Sequence, residues 1–217
     1  MKLFLTSIFA SLSFTYTQAS QGLADYPIVG DSITYLDGEG WTLTCSNPNF
    51  PQIGVTVPGD IITDLYKANV IGDPIYELNW LDYATIWADN AWTYSTNFIL
   101  TSTQIQKLES GVSDIYLIFD SIKMGSIIMV NNGGLDMHNA KLGSVLGNTT
   151  DQFLRYNFSL GTAHRLSGNT LLRSDSSNVL SVQFDPSVFA NIPQRWISND
   201  GVGLGSLFDE YNDGIWC

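Results

Sequence analysis

The sequence predicts an all-β domain, a jelly-roll β-sandwich that carries one short helix. Three observations predict it. Six runs rich in β-branched and aromatic residues recur along the chain, and several alternate apolar with polar at period two. Gly, Asn, Asp and Pro punctuate the gaps between the runs. One stretch alone has both helical spacing and a cap. The length agrees: 217 residues suit one large sandwich. A domain of this size buries about 70% of its unfolded surface and folds without a disulfide scaffold.

The strands are expected in the following order. Residues 41–45 come first. Residues 92–100 follow, with Trp92, Thr93, Tyr94, Thr96, Phe98 and Ile99. Residues 114–120 hold Ile115, Tyr116, Leu117, Ile118 and Phe119, and residues 126–131 hold Ile127, Ile128, Met129 and Val130. Asn131-Asn132-Gly133-Gly134 then reads as a tight turn. Residues 153–160 place Phe153, Tyr156, Phe158 and Leu160 among polar neighbours. Residues 179–184 set Leu180, Val182 and Phe184 opposite Ser181 and Gln183. The helix follows the Pro58-Gly59 turn, with Asp60 as N-cap and Ile61, Ile62, Leu65 and Tyr66 on one face. Gly72 and Pro74 are expected to stop it.

Charge narrows the partners. Nine Lys+Arg stand against 21 Asp+Glu, a formal charge of −12. Nucleic acid is excluded, because phosphate binding depends on clustered cations. The same balance excludes docking on anionic membranes. Charged residues make up 14% and aromatics 12%, the composition of a chain that packs.

Residues 1–19 read as a signal peptide and residues 20–217 as the domain. Lys2 opens the leader, Leu3 to Phe14 form a short apolar run, and Thr17 and Ala19 are small residues ahead of the cut. The run is too short to span a bilayer, although an N-terminal anchor is the alternative. The chain is therefore expected in the secretory pathway, lysosomal or extracellular. Two sequons fit that route: Asn148-Thr149-Thr150 and Asn157-Phe158-Ser159, with Asn148 and Asn157 as candidate glycosylation sites. Cys45 and Cys217 are too few for a disulfide framework. Cys45 reads as buried or free, and a bridge to Cys217 is the alternative.

Several ordered motifs resemble the N-terminal galactose-binding-like, sugar-binding domain of β-mannosidases in glycoside hydrolase family 2. Val57-Pro58-Gly59-Asp60 with Thr63-Asp64-Leu65 resembles that family's opening. Asp73-Pro74-Ile75-Tyr76, Asn79, Trp87 and Asn90-Ala91-Trp92-Thr93-Tyr94 resemble its next segment. Tyr116 to Asp120 with Ile122 and Gly125 to Asn131 is similar to its strand pair, with Lys123-Met124 where the family has Asp-Thr. Phe153-Leu154-Arg155-Tyr156-Asn157-Phe158 and Asn178-Val179-Leu180-Ser181-Val182-Gln183-Phe184 resemble the last two motifs.

The resemblance implies a jelly roll that belongs to a retaining glycosidase. Such enzymes work with two carboxyls about 5–5.5 Å apart. In the family both glutamates lie on a C-terminal (β/α)₈ barrel, which this chain lacks. Its own Glu39, Glu77, Glu109 and Glu210 sit outside the family's Asn-Glu context. No hydrolysis by this polypeptide alone is expected, and no cofactor or metal. The implied partner is a mannoside or other glycan, met through the missing barrel. The resemblance also implies a sugar contact at the tail. Gly214-Ile215-Trp216 is similar to the end of the family's tail motif, which places Asp209, flanked by Phe208 and Tyr211, as the substrate-binding carboxylate. The chain stops inside this motif at Cys217, so a fragment, a truncated product or a decayed paralogue is expected.

Other groups have structural readings. Trp87 and Trp92 read as packing residues, and Arg155 as half of a surface ion pair. His138 and His164 lack metal-ligand spacing. Gly201-Val202-Gly203-Leu204-Gly205 lacks the strand, helix and Lys of a phosphate loop. The competing functions are a stand-alone carbohydrate-binding module and an interaction domain that has lost its ligand.

Overall fold

The structure, a computed structural model, describes residues 2–7, 32–123, 125–131, 144–186 and 214–215. Its elements in chain order are β1 (Lys2–Ser7), β2 (Ser32–Tyr35), β3 (Gly38–Cys45), β4 (Ile53–Val57), β5 (Gly59–Asp60), α1 (Ile61–Lys67), α2 (Asn79–Ala88) and β6 (Trp92–Ile99). There follow α3 (Ser102–Glu109), β7 (Ser113–Phe119), β8 (Ser126–Val130), β9 (Val145–Asn148), β10 (Tyr156–Ser159), α4 (Leu160–Leu166), β11 (Ser177–Phe184) and β12 (Gly214–Ile215).

Two antiparallel sheets carry the fold. One has the order β10-β7-β1-β2, the other β4-β3-β6-β11-β8-β9, and a two-stranded piece joins β12 to β5. The inner face of the larger sheet is set by period two. Trp92, Tyr94 and Phe98 on β6 stand beside Phe184, Val182 and Asn178 on β11, in register. Ile128 and Val130 extend that face onto β8. From the smaller sheet, Ile115, Leu117 and Phe119 of β7 and Phe158 of β10 join the same core. Tyr94 meets Phe184 edge-on at 6.0 Å, and Phe119 meets Phe158 likewise at 6.0 Å.

Five expected strands appear within a residue or three of their expected limits: β3, β6, β7, β8 and β11. The run at 153–160 does not form a single strand. Only Tyr156–Ser159 pair with β7, Phe153 is 84% exposed in the preceding loop, and Leu160 opens α4. Ser159 ends the strand because its hydroxyl accepts the Thr162 N–H at 2.9 Å and caps α4. The expectation of one helix is also corrected, since the described residues contain four short ones. The class is nonetheless mostly β.

Helix α1 starts where its cap predicts, with the Asp60 carboxylate accepting the Thr63 N–H at 2.8 Å. It ends earlier than the Gly72 and Pro74 punctuation implies. Ala68 is the C-cap, and Asn69 turns the chain out with φ 57, a left-handed conformation that Asn tolerates. Tyr66 lies off the buried face, 45% exposed. The Asn131 turn lies within the described residues only at its first member. Asn131 has φ 50, and its amide ties β8 to β11 by accepting Val179 N–H and donating to Asn178.

Lys2–Ser7, the start of the segment read as a leader, are seated between β7 and β2, with Lys2 opposite Ile118 and Ser7 opposite Ser113. A cut after Ala19 would remove β1 and leave that side of β7 open. No helix among the described residues is long and apolar enough to cross a membrane.

Candidate functional site

The substrate residues expected in the tail, Asp209, Phe208 and Tyr211, lie outside the described residues, as do His138, Glu210, Cys217 and the glycine-rich 201–205 segment. The tail is described at Gly214–Ile215, and these two residues are informative. They pair antiparallel with β5, Gly214 opposite Asp60 and Ile215 opposite Gly59. Two motifs more than 150 residues apart in the chain thus meet at one corner.

That corner is built from the sequence upward. A Cβ on Gly59 would stand 2.6 Å from the Thr56 carbonyl oxygen and 3.2 Å from Asp64 Oδ2, so only glycine fits between the β4 exit and α1. Asp60 caps the helix, and Ile61, Asp64 and Leu65 then fall on its inner face by i, i+3, i+4 spacing. The spacing puts a carboxyl where an apolar residue is usual. Asp64 is 5% exposed, and Tyr94 from β6 donates its hydroxyl to Asp64 Oδ2 at 2.8 Å. Burial pushes the Asp64 pKa up to about 6 from 3.8. The Tyr94 hydrogen bond and Lys67 act against that rise, and the Asp60 charge adds to it.

The remaining groups have structural partners. Trp92 is fully buried, its indole N–H donating to the Ile86 carbonyl at 3.2 Å. Trp87 falls on α2, a position the sequence did not mark as helical. Arg155 pairs with Asp120 at 2.8 Å, both near half exposed, which makes it an ordinary surface ion pair. His164, on α4, is buried and faces the end of α3. The Leu172 N–H donates to its Nδ1 at 3.0 Å, so the hydrogen sits on Nε2 and faces Glu109 Oε1 at 3.3 Å. Glu39 lies on β3, Glu77 ahead of α2 and Glu109 at the end of α3, three separate elements. No group of three His, Cys, Asp or Glu that could hold a metal occurs among the described residues. Cys45 carries a free thiol that accepts the Asn47 N–H at 3.4 Å, and burial raises its pKa.

Both sequon asparagines are exposed. Asn148 ends β9 and Asn157 lies within β10, opposite Ile118 of β7. The inward neighbour of Asn157 is Phe158, so the Asn157 side chain is on the outer face.

The sequence reading missed one group at this corner: Asp64 as a buried acid. The signal was available in its spacing from Ile61 and Leu65, and in the place of Tyr94 on the same strand face as Trp92.

Comparison with known proteins places this geometry. The family described as "Glycosyl hydrolase 2 galactose-binding domain-like" matches residues 41–196. The beta-mannosidase of Bos taurus is 30% identical over 152 residues, covering 70% of this chain and 14% of its own. Beta-mannosidase A of Emericella nidulans is 26% identical over 195 residues, covering 81% of this chain and 19% of its own. The crystal structure of a beta-D-mannosidase from Dictyoglomus thermophilum superposes with a TM-score of 0.52 at 24% identity, over 70% of this chain and 15% of that one, a likeness of fold. The chain therefore spans 14–19% of the length of these two curated relatives.

Proposed function

Because the chain belongs to the glycosyl hydrolase 2 galactose-binding domain-like family, we propose that it is the non-catalytic N-terminal domain of a β-mannosidase-like hydrolase. In that reading the longer protein removes terminal β-D-mannose from oligosaccharides, and its two catalytic glutamates reside on a separate barrel. The observation that carries the reading is the family match over residues 41–196, made by a chain that covers so small a share of its beta-mannosidase relatives.

Two features of the surface and the tail support it. Ile75 is 89% exposed, and Tyr76, Leu78 and Leu81 beside it are more than half exposed. Four exposed apolar side chains within seven residues of sequence suit docking against another domain. The tail at Gly214–Ile215 is fixed to β5, and Asp209 stands five residues ahead of it in the chain. Asp209 is the group we assign to sugar hydroxyls, with Phe208 and Tyr211 as ring-stacking neighbours. Residues 1–19 direct the chain into the secretory pathway, to a lysosomal or extracellular destination.

Transcript sequence past the Cys217 codon tests the reading. It is expected to continue in frame through a further strand and, later, an Asn-Glu pair within a barrel. An in-frame stop with no barrel overturns it. In the longer chain, Asp209→Asn should lower kcat/KM on a β-mannoside about tenfold or more, the effect of losing a hydrogen bond to a charged group. Unchanged kinetics would make the tail a solvated loop.

A further inference from the structure

The corner where the tail meets β5 is braced from within by a line of fixed groups. Tyr94 of β6 is fully buried, with the Phe184 ring edge-on at 6.0 Å, so the core sets the position of its hydroxyl. That hydroxyl donates to Asp64 Oδ2 at 2.8 Å. The carboxyl in turn lies against the backbone of Gly59, where a Cβ would stand 3.2 Å from Oδ2 and 3.5 Å from Oδ1. Gly59 and Asp60 are the two residues that receive the tail, opposite Ile215 and Gly214. Asp60 is held as well, because its carboxylate caps α1 through the Thr63 N–H.

Packing alone does not account for an acid at position 64. The other buried residues of α1 are Ile61, Ile62 and Leu65, and burial disfavours the charged carboxyl among them. An apolar side chain would fill the same place without that cost. What the carboxyl supplies instead is direction. Tyr94 fixes one oxygen, and both oxygens then bear on Gly59.

We propose that Asp64 is a positioning residue for the tail: Tyr94 holds its carboxyl against Gly59, and the β5 backbone braced in this way is the edge on which Gly214–Ile215 dock. The line runs from a core ring on β6, through α1 and β5, to β12. Strand β12 also lies beside α1, the helix that carries Asp64. The consequence for sugar binding rests on the assignment of Asp209 made above. Five residues separate Asp209 from Gly214, so docking of Gly214 confines the Asp209 backbone to within about 18 Å of it. Loss of the Asp64 link frees the tail, and Asp209 with it, while the two sheets keep their packing.

Hydrogen–deuterium exchange of the 217-residue chain tests this, read on peptides that cover residues 206–217, β6 and β11. In the parent chain the Gly214–Ile215 region should exchange more slowly than an unfolded peptide of the same sequence. Asp64→Ala should speed exchange there about tenfold, the scale of one lost buried hydrogen bond, and leave β6 and β11 unchanged. Tyr94→Phe keeps the ring and removes only the hydroxyl, so it should free the tail in the same way and reads the same link if the alanine variant does not fold. Asp64→Asn keeps an acceptor for Tyr94 and should hold the tail at the parent rate. A parent tail that exchanges like an unfolded peptide overturns the proposal. So does an alanine or phenylalanine variant whose tail keeps the parent rate. Equal acceleration of tail, β6 and β11 would make Asp64 a residue of general stability and overturns it too, as does an asparagine variant as fast as the alanine one. No sugar enters the measurement, so its failure leaves the hydrolase reading standing, and failure of that reading leaves the exchange result intact.

Discussion

Trp92→Ala is expected to lower stability by about 3–5 kcal/mol, the usual loss when a large aromatic is removed from a closed core. Trp92 is fully buried and tilts against Phe50 with ring centroids 5.5 Å apart. It stands in register between Cys45 on β3 and Phe184 on β11. Its indole N–H also holds the end of α2 through the Ile86 carbonyl. Truncation opens a cavity among three strands and frees a helix from the sheet at the same time. For a domain near 200 residues each kcal/mol shifts Tm by roughly 2–4 °C, so the drop should be roughly 6–20 °C. Trp92→Phe should lose less, since it keeps a six-membered ring in the core and forfeits the pyrrole half of the indole with its hydrogen bond. Urea unfolding followed by circular dichroism checks both. A loss below about 1 kcal/mol for the alanine variant would mean that Trp92 is not the centre of packing described here.

Stability should rise as pH falls from 7 towards 4, through Asp64. The folded carboxyl holds its proton up to about pH 6, whereas the unfolded one releases it near 3.8. Folding therefore takes up a proton in the window between those values. The stabilisation is fully present below the unfolded pKa and is lost as pH rises through the folded one. Its limit is about 3 kcal/mol, from 1.36 kcal/mol per pKa unit. The groups around the carboxyl are Tyr94, which favours the charged form by donating to it, and the charges of Asp60 and Lys67, which oppose one another. Asp64→Asn keeps an acceptor for the Tyr94 hydroxyl and removes the charge. It should flatten this part of the pH dependence and match or exceed the parent protein at pH 7.5. Unfolding midpoints of the two proteins between pH 4 and 7.5 give the comparison. Parallel curves would place the proton elsewhere.

The sandwich was legible because its long strands obey a single period. Leu180, Val182 and Phe184 on β11 show it, and so do Ile115, Leu117 and Phe119 on β7: alternate residues face one core. Short edge strands hid for the opposite reason. Ser32–Tyr35 and Val145–Asn148 are four residues each, too few for two full alternations to stand out. The extra helices hid under strand-like composition. Helix α2 is rich in aromatic and β-branched residues, and α3 buries only Ile105 and Leu108. Yet α3 carried a readable signal, a capping box in which the Thr101 hydroxyl takes the Gln104 N–H and the Gln104 side chain takes the Thr101 N–H. In the 153–160 run, the step from Phe153 to Tyr156 breaks the period of two, which marks the point where loop gives way to strand.

At the corner, the motif residues Gly59, Asp60 and Asp64 were visible as a pattern, but their purpose needed three dimensions. Sequence places Gly214 far from Asp60, and only pairing of β12 with β5 brings the tail to α1. The burial of Asp64 depends on Tyr94, thirty residues on and in a different element. The spacing from Ile61 and Leu65 marks Asp64 as inward-facing, but no local pattern reports its pairing with Tyr94.

Purified 217-residue chain, folded by circular dichroism, incubated with 4-nitrophenyl β-D-mannopyranoside under acidic and neutral conditions, tests most directly the claim that the catalytic carboxylates lie on another domain. The expected result is no release of nitrophenol above the buffer rate at any protein concentration. Release proportional to the amount of this chain, and retained after its repurification, would contradict it.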